Sequence, residues 1–130
     1  MDYIDQAEKA IRTLQENAQM RTGPKLVTTS QIRKFLTAVN AVSGKIDMYK
    51  MHHEGEEKLS RELQAEVKYL KVKLAYQIGR DDKKSVKAFA DETHLFEKID
   101  EVKDSIRKYE EFARYIEALV AYHKYYGGKN

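Results

Sequence analysis

YEEFARYIEALVAYHKYY, residues 109–126, decides the fold. Apolar and aromatic residues cover most of the circumference of this stretch when it is wound as a helix, as expected of a helix surrounded by others. Just before it, Ile99 to Ile106 is amphipathic, so one long helical pattern runs from about Phe96 to Tyr126 and closes at Gly127-Gly128. A central helix of this kind needs partners with narrower apolar stripes, and the rest of the chain supplies them.

Ile4, Ala7, Ile11, Leu14 and Ala18 recur at alternating spacings of 3 and 4, the mark of one apolar stripe on a helix. That helix should stop before Gly23-Pro24, where proline disfavours helical geometry in the residue before it. Thr28, Thr29 and Ser30 offer hydroxyl caps to a second helix carrying Ile32, Phe35, Leu36, Val39, Val42 and Ile46. Residues 47–58, DMYKMHHEGEEK, lose the pattern and read as a loop or frayed helix end. A third helix carries Leu59, Leu63, Val67, Leu70, Leu74 and Ile78 and closes at Gly79. After a charged turn, Ser85 is the expected cap of a short helix through Val86, Phe89 and Ala90. The expectation is an all-α fold of about five helices, residues 1–130 forming a single domain around a long, largely buried C-terminal helix.

Composition agrees. Charged residues make up 35% of the chain, and six Gly with one Pro leave too few turn markers for many short strands. Zero Cys excludes disulfides, thiolate metal sites and a cysteine nucleophile, and suits a cytoplasmic protein better than a small secreted one. The opening MDYIDQAEKAIRTLQ lacks the apolar run of a signal peptide, and no stretch approaches the roughly 18 apolar residues of a membrane span. No membrane partner is expected. The net charge of +3 is unevenly spread: residues 1–20 carry two Lys/Arg against four Asp/Glu, residues 21–80 twelve against six, and residues 81–130 ten against eleven. The basic middle suits a polyanion, although a solvated charged surface reads the same way.

Chemistry-bearing sets are sparse. His52-His53-Glu54 point in different directions on a helix, no Glu-x-x-His pair is present, and His94 with Glu97 runs in reverse order. Exposed histidines and no metal are expected. There is no phosphate-binding glycine loop and no nucleophile elbow, and Asp81-Asp82 are flanked by Arg80 and Lys83-Lys84, which compete for their carboxylates. Neither an enzyme nor a cofactor is expected.

Three features point instead to a nucleic-acid backbone. At the head of helix two, hydroxyls are followed by Arg33 and Lys34, and Ser30-Gln31-Ile32-Arg33 puts Arg where a capping box would put Glu or Gln. Such a helix start suits a phosphate, or is a plain cap with cations in solvent. On helix three, Tyr69, Lys73, Tyr76 and Arg80 fall on one strip away from the leucine seam. They can stack on bases and meet phosphates, or the tyrosines pack on another helix under the basic stems. On the last helix Arg107 and Arg114 share a face with Lys103, while Tyr115, Tyr122, Tyr125 and Tyr126 are expected in core or interface.

Thr28-Thr29-Ser30-Gln31-Ile32-Arg33, Leu70-Lys71-Val72-Lys73-Leu74-Ala75-Tyr76 with Gly79-Arg80, and the stretch from Phe112 to Tyr126 together resemble the Csm small subunit of type III-A CRISPR effector complexes. Residues 1–20, 45–58 and 81–97 carry no matched motif. The resemblance implies a non-catalytic helical subunit present in several copies, stacked inside a ribonucleoprotein filament for antiviral defense. There it contacts the guide RNA and the target RNA mostly through backbone, beside other Csm subunits. Target slicing belongs to the backbone subunit, and DNA cleavage and cyclic oligoadenylate synthesis to the large one. On this resemblance the RNA-binding positions are Arg33, Lys34, Lys71, Lys73, Arg80 and Arg114, with Tyr76 and the hydroxyls of Thr29 and Ser30. A homodimer of the isolated protein is also expected, since weak helix breaks at 45–58 and 91–97 allow longer rods that expose core surface to a second copy. The competing readings are a self-associating helical adaptor that binds no nucleic acid, and a helical metal sensor using the histidines.

Overall fold

The structure is a computed structural model describing residues 2–127, so Gly128 lies outside the described residues. Among those residues there are six helices and no strand: α1 (Tyr3–Ala18), α2 (Thr29–His52), α3 (Arg61–Arg80), α4 (Ser85–Thr93), α5 (Leu95–Val102) and α6 (Ile106–Tyr125). The sixth arises because the long helix expected from Phe96 to Tyr126 is cut in two. Val102 to Ser105 forms a turn closed by the Ser105 amide on the Val102 carbonyl at 3.0 Å, and the Ser105 hydroxyl then caps α6 by accepting from the Lys108 amide. Lys103 takes φ 51° and ψ −117° in this turn, so a residue without glycine's freedom marks the break.

Helix α1 starts at Asp2, whose carboxylate accepts from the Ile4 amide at 2.8 Å, and buries Ala7, Ala10, Ile11 and Leu14. Ile4, expected in the stripe, is 43% exposed. The helix ends in successive turns that close on Gly23, where a Cβ would come within 1.9 Å of the Asn17 carbonyl oxygen. Only glycine permits that approach.

Helix α2 opens two residues earlier than a Ser30 cap would place it. Thr28 and Gln31 form a capping box, Thr28 Oγ1 accepting from the Gln31 amide at 3.1 Å and Gln31 Oε1 from the Thr28 amide at 2.9 Å. The reciprocal partner is therefore present, two residues ahead of the register read from Ser30. The helix then runs on to His52, through half of the stretch expected to be a loop or frayed helix end. Ile46 is its last buried residue, and beyond it the helix overhangs the core with Met48 and Met51 exposed. An ion pair from Lys50 to Glu110 at 2.7 Å and stacking of Tyr49 on His53 hold this end.

Helix α3 is capped by Ser60 and buries Leu63, Val67, Leu70 and Leu74, while buried Leu59 lies before its start. It passes through Gly79 without a left-handed residue and ends at Arg80. Ser85 does not cap α4 as expected. It is the buried first residue of that helix, and the carboxylate of Asp81 takes the capping role, accepting from the Val86 amide at 2.8 Å and the Lys83 amide at 3.2 Å.

Helix α6 is the hub, packed on α1, α2 and α5. It buries Tyr109, Phe112, Tyr115, Ile116, Leu119 and His123, but one strip with Arg107, Glu111, Arg114 and Tyr125 is exposed, so its apolar cover is a wide face rather than nearly the whole circumference. Burying side chains such as Ile116 and Leu119 contributes about 1.5–3 kcal/mol each relative to exposure. Its polar groups find main-chain partners: Tyr109 donates to the Val39 carbonyl at 2.9 Å, Tyr115 to Thr93 at 3.0 Å and His123 Nε2 to Val27 at 2.6 Å. Burial pushes the Tyr109 phenol up to about 12 and holds His123 below the usual histidine range.

Candidate nucleic-acid interface

The outer faces of α2 and α3 form a groove of about 620 Å³. Its floor is Phe35 with the small side chains of Thr37, Ala38 and Ala41. Ser30 and Lys34 stand on the α2 side, and Lys73, Tyr76 and Arg80 on the α3 side. Five of the nine positions named from sequence thus meet in one concavity, although about forty residues of chain separate the two sets. Gln77 fixes their relative position, its amide donating to the Gln31 carbonyl in the first turn of α2 at 2.6 Å.

The tyrosine strip of α3 does not pack on another helix. Tyr69 is 55% and Tyr76 67% exposed. Each lies beside a cation one turn on: Lys73 Nζ is 6.0 Å from the Tyr69 ring centre, and the Arg80 guanidinium 5.6 Å from that of Tyr76. The one carboxylate of the lining, Asp81, already accepts two main-chain N–H groups, those of Lys83 in the turn and Val86 in α4. Two lysines, an arginine and a hydroxyl can meet phosphate oxygens while Tyr76 offers a ring face.

The other four named positions lie apart from this groove. Thr29 is buried, and its hydroxyl finds no hydrogen-bond partner among the described residues. Arg33 is exposed on α2 but is not in the lining. Lys71 is paired with Asp100 of α5 at 2.8 Å, and Arg114 of α6 lies beside Tyr3 of α1, which raises its pKa further. The face expected to join Lys103 to Arg107 and Arg114 is broken, because Lys103 sits in the turn before α6.

His52 and His53 are exposed, as is His94, which lies 3.2 Å from Glu97 and lowers that carboxyl's pKa. His123 departs from the expectation of exposed histidines, being buried and bonded to the connector before α2. Among the described residues no three His, Asp or Glu side chains gather as a metal site would require, and no helix is long and apolar enough to cross a membrane. The groove residues that single-helix spacing does not show are Gln31, Thr37 and Gln77, since their role depends on how α2 and α3 pack.

The family model for Csm2 of type III-A matches residues 4–129. The chain is 37% identical over 129 residues to the "CRISPR system Cms protein Csm2" of Streptococcus thermophilus, covering 99% of this chain and 94% of that protein. The protein of the same name from Mycobacterium tuberculosis is 35% identical with the same coverage, and that of Enterococcus italicus is 34% identical over 102 residues, covering 77% of this chain and 68% of its own. Matched across nearly its whole length, the chain belongs to the type III-A Csm2 family.

Proposed function

We propose that this chain is a non-catalytic, cytoplasmic RNA-binding subunit of a type III-A CRISPR ribonucleoprotein complex, and that the α2–α3 groove holds the ribose-phosphate backbone of RNA along the guide–target path. The observation that carries this reading is the convergence of Ser30 and Lys34 with Lys73, Tyr76 and Arg80 in one groove. Lysine and arginine with exposed tyrosine suit a backbone with occasional stacking, and the two amide side chains of the lining, Gln31 and Gln77, are each already bonded to main chain. Arg33, exposed one turn before the groove's centre, extends the cationic surface.

The partners are guide RNA, target RNA, other Csm subunits and further copies of the chain. The overhanging end of α2, with Met48 and Met51 exposed, is the apolar surface available for protein contact, including a homodimer of the isolated chain. A single copy should bind RNA weakly, without sequence preference, and with a steep loss of affinity as salt rises. Fluorescence anisotropy on two RNAs of unrelated sequence across a salt series tests this. Equal affinities falling linearly on a log–log plot are expected, whereas strong preference for one sequence, or no binding at low salt, would contradict it.

A further inference from the structure

On the other flank of α3 a second concavity of about 430 Å³ lies against α5. Its charged lining is Arg61 and Lys68 of α3, Lys103 of the α5–α6 turn, and Asp100. Asp100 is occupied by Lys71 at 2.8 Å, whereas Arg61, Lys68 and Lys103 make no ion pair among the described residues. The groove therefore gathers three cations, and the one acid of its lining is already paired.

Its two walls are tied together by main chain. The Leu59 amide donates to the Asp104 carbonyl at 2.7 Å and the Ile106 amide to the Glu57 carbonyl at 3.1 Å, so the segment entering α3 is paired with the turn leaving α5. This pairing sets Arg61, the first residue of α3, and Lys103 at the same end of the groove. Lys103 also holds the position of its turn at which glycine is the favoured residue, at φ 51°. A lysine thus stands where an unstrained residue would be glycine, with its side chain lining a groove whose one acid is already paired with Lys71.

We infer that this α3–α5 groove is a second binding site for the RNA phosphodiester backbone, with Arg61, Lys68 and Lys103 as its cations, so that α3 carries one phosphate path on each flank. The inference rests on the RNA-binding reading above. A protein partner is disfavoured by the lining itself, since its large apolar members Val67 and Ile99 are buried, only the small Ala65 is exposed, and no aromatic anchor stands in it, while lysine is depleted at protein interfaces.

The test is anisotropy with a labelled single-stranded RNA and the full chain, comparing Lys68→Gln/Lys103→Gly with Lys73→Gln/Arg80→Gln. The first double variant should lose roughly tenfold or more in affinity near 0.1 M salt, and its log–log salt slope should be shallower by about 1.4, with no loss of melting temperature because glycine accepts the turn. Replacing glycine by glutamine at 103 should give the same RNA loss, and a loss confined to the glycine variant would overturn the inference by assigning the effect to backbone. An unchanged affinity and slope in the Lys68/Lys103 variants, with loss in the Lys73/Arg80 variant, overturns this groove and keeps the first. The opposite pattern keeps this groove and overturns the first, and no binding by the unsubstituted chain overturns both. Polyglutamate competing as well as unlabelled RNA of equal charge would also overturn it, in favour of an acidic protein partner.

Discussion

Helices α6 and α3 both carry tyrosines one or two turns apart, and the two sets have opposite fates. Tyr109 and Tyr115 of α6 are buried with their hydroxyls on main-chain carbonyls, while Tyr69 and Tyr76 of α3 stand more than half exposed beside Lys73 and Arg80. The difference lies in the neighbours. Tyr109 and Tyr115 share their face with Phe112, Ile116 and Leu119, so burial adds apolar area and the hydroxyl needs only one acceptor, whereas Tyr125, on the outer strip of the same helix, is exposed. The α3 tyrosines lie off the Leu63–Leu74 seam, with cations on the next turn that keep the strip in water. One residue type therefore serves stability in α6 and leaves a surface for recognition in α3.

The largest effect should come from emptying the hub. Leu119→Ala should cost about 2–5 kcal/mol in denaturant unfolding, whereas a loss below about 0.5 kcal/mol would break the assignment of α6 as the centre. Tyr109→Phe should cost about 1–3 kcal/mol, because the phenol bonds both the Val39 carbonyl and the Ser43 hydroxyl. It should also remove a pH dependence at the alkaline end. The Tyr109 phenol is pushed up to about 12 in the fold, so its stabilisation is whole below the unfolded value near 10 and is lost as pH rises through 12. His123 works at the other end. Its folded pKa is depressed by burial, so its contribution is whole above about 6.5 and is lost as pH falls below that value. Melting temperature should drop between about pH 7 and 5, and His123→Gln should flatten that drop. The smallest effect on stability belongs to α3: Tyr76→Ala should stay within about 0.5 kcal/mol while weakening RNA binding, and a large destabilisation would erase the contrast between the two helices.

Much of the fold was legible because burial leaves a period. The 3 and 4 spacings of Ala7, Ile11 and Leu14, or of Leu63, Val67, Leu70 and Leu74, mark faces that pack. Where burial stops, the period stops although the helix continues, so the overhang of α2 past Ile46 reads as a loop or frayed helix end. The break between α5 and α6 was hidden for another reason, because Lys103 rather than glycine takes the left-handed turn position. The capping box was visible in composition but displaced in register, from Thr28 to Gln31. Half of the groove was legible as the α3 strip, since one helix's spacing decides which residues share an edge. That Ser30 and Lys34 join it depends on α2–α3 packing and on Gln77, which no local pattern encodes.

The central claim is that position in the α2–α3 groove, rather than charge in bulk, makes this chain hold RNA. The direct measurement is the salt dependence of RNA affinity for two charge reversals of equal size, Lys73→Glu/Arg80→Glu in the groove and Lys83→Glu/Lys84→Glu in the neighbouring exposed turn, with helicity checked by circular dichroism. The groove pair should weaken binding to every sequence and make the log–log slope shallower by about 1.4–1.8, with the turn pair having much the smaller effect. Equal losses from both pairs, or no loss from either, would contradict the groove.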